Sequence, residues 1–101
     1  SVLSGIVIDA GGHPLAGFRP CLYASPRMID EPLETGEPTG PDGLFRLNST
    51  RSGGFWLGAR ERLGGPPQSG ERVGFLEGGN RLELGPGVEH DALRIVVKPV
   101  P

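Results

Sequence analysis

Short apolar ribbons alternate with glycine and proline corners along this chain of 101 residues. The stretch Gly40-Pro41-Asp42-Gly43-Leu44-Phe45-Arg46-Leu47 sets the pattern. Pro41 presets φ for a turn, Asp42-Gly43 tolerates positive φ, and the following residues alternate between two faces. Phe45 and Leu47 point one way, Leu44 and Arg46 the other, which predicts a half-buried strand. Gly53-Gly54 turns the chain into a second such strand, Phe55-Trp56-Leu57-Gly58-Ala59-Arg60. On the same grounds Val2–Asp9 is a first strand, Ala10–Gly17 a hairpin-type connection, and Phe18–Ala24 a second strand. Pro20 cannot donate to a ladder, so that second strand needs an edge or a bulge there. Residues 25–43 form a long connection, with a short strand expected near Leu33–Thr39. Glu61–Asn80 is a second long connection rich in Gly and Pro, with a short strand expected at Arg72–Leu76. Arg81–Leu84 and Ala92–Lys98 complete the set. Every candidate helical stripe is cut by Gly or Pro within two turns, so no helix is expected.

The 18 glycines and 11 prolines would suggest disorder if the apolar residues were scattered. They are grouped into runs instead, which points to one all-β domain spanning residues 1–101. A chain of this size can bury enough surface to fold without metal or disulfide. The net charge of −2, with Lys98 the one lysine, argues against a nucleic-acid partner, because phosphate binding needs clustered Lys and Arg. No apolar run approaches the roughly 20 residues of a membrane-spanning helix. The single cysteine, Cys21, has no internal disulfide partner and sits in an alternating run, where a buried core thiol is expected. The chain starts at Ser1 without initiator Met or signal peptide, the expectation for a processed chain or a domain cut from a larger one.

Candidate chemistry is sparse. His13 and His90 lie far apart in turn-like contexts, with no second ligand at metal spacing. A Cys21–His pair would need an orienting acid, and no nucleophile-elbow motif supports one. Asp30, Glu31, Glu34, Glu37 and Asp42 cluster in the first long connection without the spacing of an EF-hand; a solvated acidic loop is expected, weak Ca²⁺ binding being the sharper alternative. The glycine pairs at 64–65 and 78–79 lack the Lys-Ser/Thr and helix of a phosphate cradle. Arg60-Glu61-Arg62 and Glu71-Arg72 flank the Gly/Pro loop; they form either surface ion pairs or a polar brace that pins it, and a glycine-rich loop needs such a constraint to be ordered. No residue is singled out as catalytic, cofactor-binding or metal-ligating.

The succession Ser4-Gly5-x-Val7-x-Asp9, Gly12-x-Pro14-Leu15-Ala16-Gly17, Gly40-x-Asp42-Gly43-x-Phe45-x-Leu47 and Gly54-Phe55-Trp56-Leu57 resembles the carboxypeptidase regulatory-like domain. The resemblance spans about the whole chain. It implies a seven-stranded antiparallel Greek-key, transthyretin-like β-sandwich, here with long Gly/Pro-rich loops. It also implies no catalytic residues, since such domains are generally accessories or building blocks of secreted and surface proteins. Pro20 and the long, glycine-rich Glu61–Asn80 segment depart from the family pattern. A transthyretin-like ring hydrolase would need a His/Arg/Ser constellation, and the terminal Tyr-Arg-Gly-Ser-type signature is missing.

The first strand is apolar on both faces, and the last is similar at Ile95-Val96-Val97. A small sandwich buries one face of each sheet, so two-faced strands call for a further cover, from the Gly/Pro loop or from another chain. The expected function is therefore a non-catalytic structural or interaction protein, extracellular or at the cell surface, that self-associates (a filament is one such form) or packs on a larger scaffold. The candidate interface comprises Val2, Leu3, Ile6, Ile8, Phe75, Leu76, Ile95 and Val97. A ligand- or carbohydrate-binding accessory module, presenting Tyr23, Trp56 or Phe75, is the alternative.

Overall fold

The computed structural model describes residues 1–27 and 31–101 and contains, among them, nine strands and no helix. They are β1 (Val2–Ile8), β2 (Arg19–Tyr23), β3 (Glu34–Thr35), β4 (Leu44–Asn48), β5 (Gly53–Arg60), β6 (Arg72–Phe75), β7 (Leu82–Leu84), β8 (Glu89–Val96) and β9 (Lys98–Pro99). The smaller sheet runs β4-β1-β8; the larger runs β3-β2-β5-β6-β9, and β7 pairs with β5. The all-β, two-sheet expectation holds. The strand count is nine rather than seven, and the sheets are not purely antiparallel, because β1 and β8 run parallel. That pairing joins two strands far apart in the chain, so no local turn signal announces it.

Local chemistry explains the elements that were predicted. At the turn before β4, Gly43 N–H donates to Gly40 O at 2.9 Å and Leu44 N–H to Asp42 Oδ1 at 3.1 Å. Gly43 has φ of 73°, and a Cβ there would lie 2.7 Å from Val7 O, so both conformation and space demand glycine. The strand that follows alternates cleanly, with Phe45 and Leu47 buried and Leu44, Arg46 and Asn48 exposed. Pro20 pairs with Ala59 inside a ladder and is neither at a free end nor in a bulge. Its carbonyl accepts from Gly36 N–H at 2.8 Å, so its missing N–H faces the irregular 33–39 segment and costs β5 nothing. Thr39 fastens that segment: its hydroxyl donates to Leu15 O at 2.6 Å and accepts from Phe18 N–H at 3.1 Å.

The main core lies between the two sheets. Leu3 and Val7 of β1, Phe45 and Leu47 of β4, Ile95 of β8, and Leu22, Leu57 and Ala59 of the larger sheet meet there. The sheets also touch at one side, where Leu76 forms a bridge to Ile95 and Gly74 approaches β8 closely. A Cβ on Gly74 would stand 2.0 Å from Val96 O, so a side chain at that position would force the sheets apart.

Candidate interaction surface

Each sheet has an outer face as well as an inner one, and the two outer faces differ. On the larger sheet, Cys21 and Tyr23 of β2 point away from the main core, yet both are fully buried. Trp56 of β5 and Val73 and Phe75 of β6 pack around them as a second, smaller core. The Tyr23 and Phe75 rings meet edge to face with centroids 5.5 Å apart. Arg60, at the end of β5, is the largest fully buried side chain and joins this layer.

Arg60 is held by a dense polar network. Its Nε and Nη2 donate to Glu71 Oε2 at 3.2 and 2.8 Å, and its Nη1 donates to Gly65 O at 2.9 Å. The other carboxylate oxygen, Oε1, accepts from Arg62 Nε at 3.1 Å. Glu71 thus ties both ends of the 61–71 segment together, and Arg60 fixes its middle. Between the two readings of these charges, the brace describes buried Arg60 and Glu71, with the exposed Arg62 joined to it. Arg72 and Glu61 pair at 3.4 Å on the surface. Burial raises the Cys21 thiol and the Tyr23 phenol above their ordinary pKa, the phenol further through its neighbour Cys21. Among the described residues Tyr23 Oη makes no hydrogen bond of good geometry, although the Cys21 thiol and the Arg60 guanidinium lie beside it.

The outer face of the smaller sheet carries no such cover. Register places Ile6 beside Leu44 on one side and Arg94 on the other, with Ser4 beside Arg46. Leu44 is 56% exposed, the most exposed large apolar side chain among the described residues. Between Leu3 and Gly5 the β1–β8 register slips by one residue, and Ala92 takes φ of 54° there. This bulge opens an apolar depression of about 310 Å³ lined by Gly5, Ile6, Leu44, Ala92 and Leu93. Arg46 shares the outer face of β4 with Leu44, and Arg94, which pairs in register with Ile6, meets Glu77 at 3.8 Å. The arrangement has an apolar centre and a charged border, the anatomy of a protein-contact patch.

The eight residues expected at an interface are divided by the structure. Leu3, Ile8, Leu76, Ile95 and Val97 are buried within this chain and cannot serve a partner. Their apolarity reflects the main core and, at Ile8, the hairpin that folds back so that Ile8 bridges Pro14. Val2, Ile6 and Phe75 are half-buried, and of these Ile6 lines the depression. Sequence reasoning missed Leu44, Ala92 and Leu93. Leu44 was legible as the outward apolar residue of an alternating strand; Ala92 and Leu93 owe their place to a bulge no local pattern signals.

The remaining candidates are separate. Asp9 Oδ1 accepts the Gly11 and His13 backbone amides at 2.9 Å and meets His13 Nδ1 at 3.2 Å. The His13 amide is the main reason that the Asp9 carboxyl lies below its ordinary pKa. His90 Nε2 lies 2.9 Å from Glu83 O, far from that turn. Glu34 of the acidic connection accepts from Ser49 Oγ at 2.5 Å and Arg51 Nε at 3.0 Å, and Asp30 lies outside the described residues. In a polar depression lined by Ser1, Ser49, Thr50, Arg51, Gly85 and Pro86, Ser49 and Arg51 hold Glu34, and Ser1 Oγ donates to Gly85 O. Among the described residues no group of three His, Cys, Asp or Glu side chains converges, and no helix is long and apolar enough to cross a membrane. No protein-family model matches the chain, and no curated protein matches it in sequence.

Proposed function

We propose that this domain is a non-catalytic interaction module of an extracellular or cell-surface protein, and that it associates with copies of itself through the outer face of the β4-β1-β8 sheet. The observation that carries this reading is the uncovered apolar depression beside Leu44. Two other two-faced stretches are covered by the chain itself: Ile8 by its hairpin, Cys21 and Tyr23 by the second core. Water is left against Leu44, Ile6 and Ala92, and a partner surface would displace it. The edge of β4 is a weaker candidate than its face, since the segment at Gly36 passes close to Arg46 O. The resemblance to carboxypeptidase regulatory-like domains supports the same class, as those domains serve as building blocks outside the cell. The carbohydrate reading loses one platform, because Tyr23 is fully buried and presents no ring to solvent.

Sedimentation equilibrium over a wide concentration range tests the proposal. Reversible self-association is expected, and Leu44→Lys should weaken it about tenfold or more, the equivalent of roughly 1.4 kcal/mol for one apolar contact replaced by a charge. A strict monomer at millimolar concentration, or equal association of the wild type and L44K, would overturn it. Retention of a larger scaffold by a strictly monomeric wild type would assign the face to that scaffold instead.

A further inference from the structure

The 61–71 segment carries a device that the interaction reading does not use. Gly65 O is fastened to Arg60, both ends are fastened through Glu71, and Arg60 lies in the same outer layer as Cys21 and Tyr23. Cys21 faces Gly58 across the ladder, so no cross-strand side chain from β5 covers its thiol directly. Tyr23 packs with it in the second core, Phe75 lies opposite Gly58 on the far side, and Arg60, two residues beyond Gly58 on the same face of β5, is near enough for its charge to act on the thiol. Arg60 is therefore both a neighbour of the thiol and the post to which the loop is tied. The loop itself contributes little packing. Residues 61–66 and 68–70 are exposed, and four of its positions, Gly64, Gly65, Pro66 and Pro67, have no long apolar side chain. What holds it are polar bonds: Arg60 and Arg62 on the Glu71 carboxylate, Gly65 O on Arg60, and at its C-terminal end the backbone bonds of Gly70 and Glu71 with Val100.

We propose that residues 61–71 form a strap, latched by Glu71 on Arg60, whose release lifts Arg60 from the outer layer and uncovers the Cys21 thiol while the main core between the sheets stays folded. The physical basis is the unequal distribution of stability. The strap can open at the cost of its polar bonds alone, whereas the main core draws on apolar side chains from both sheets. Cys21 belongs to the smaller cluster, outside the main core, so exposing it does not require the sheets to separate.

The test is native-state labelling of Cys21 with an aromatic disulfide, 5,5′-dithiobis(2-nitrobenzoic acid). The thiolate attacks the reagent, a new S–S bond forms at Cys21 Sγ, the reagent's own S–S bond breaks, and thionitrobenzoate leaves as the thiol proton passes to solvent. In the wild type, labelling should be slow and should depend on denaturant less steeply than global unfolding does, the signature of a local opening. Glu71→Gln should accelerate it about tenfold or more, since it removes the ionic partner of a buried guanidinium. Arg62→Ala, which cuts one partly exposed bond to the same carboxylate, should accelerate it by roughly two- to fivefold. The proposal is overturned if wild-type labelling has the full denaturant dependence of global unfolding, or if a folded E71Q labels at the wild-type rate. Should E71Q not fold, the wild-type denaturant dependence and the R62A rate decide between the outcomes.

Discussion

The two outer faces of this sandwich met the same difficulty and resolved it differently. Both sheets have strands with apolar residues on the side away from the main core. On the larger sheet the chain supplies its own cover: a ring cluster of Tyr23, Trp56 and Phe75, a buried thiol, and a loop latched through Arg60 and Glu71. On the smaller sheet Leu44, Ile6 and Ala92 are left around an open depression. The difference teaches where to look for a partner: one face packs its own aromatic side chains around a buried thiol, and the face left with an open apolar depression is the one available to another molecule.

Breaking the closed face should have the largest effect. Arg60→Ala leaves Glu71 without its buried partner, and chemical denaturation should show a loss of roughly 3–5 kcal/mol, the range found when one member of a buried pair is removed. A smaller loss, about 1–3 kcal/mol, is expected for Gly74→Ala, because the added methyl meets Val96 O where the sheets join. Both exceed what Leu44→Lys should do to the monomer, which is a change within about 0.5 kcal/mol, since Leu44 stands mostly in water. L44K thus separates the two faces, altering association while sparing the fold.

Alkaline pH sharpens the same contrast. Burial lifts the Cys21 thiol above its ordinary 9.0 and the Tyr23 phenol above its ordinary 10.0. The stability that these neutral groups contribute is complete below those ordinary values. It falls as pH rises above them toward the folded-state values, because the unfolded chain ionises first. Denaturation midpoints should therefore decline from pH 9 upward, and the decline should be shallower in Cys21→Ala. The smallest effect belongs to Tyr23→Phe: among the described residues Oη makes no hydrogen bond of good geometry, so its removal should leave stability at neutral pH unchanged or slightly raised.

Much of this architecture is written in short-range signals, and what escapes the sequence is long-range. The turn into β4 is legible because Asp42 and Gly43 act on their immediate neighbours. The brace was legible as a possibility, since opposite charges flank a Gly/Pro loop; that Glu71 is its hub depends on which side chains burial brings together. The alternation at Arg81–Leu84 announces β7, whereas the parallel β1–β8 pairing, the bulge at Ala92 and the two-residue strand β9 have no periodic signature. The interface residues show the limit most plainly. Apolar residues on two faces of β1 and β8 say that both faces are covered or contacted, but not by what. Leu3, Ile95 and Val97 turn inward, Ile8 is covered by its own hairpin, and Leu44, which is not among the expected interface residues, gains its meaning from its neighbours across the sheet.

The most direct test is to follow backbone amide chemical shifts of ¹⁵N-labelled protein as its concentration is raised. The smaller sheet's open face predicts concentration-dependent shifts centred on Ile6, Leu44, Ala92 and Leu93, with Trp56, Phe75 and the strap unmoved. Shifts confined to Trp56, Phe75 and the strap, or none up to millimolar concentration, would contradict it.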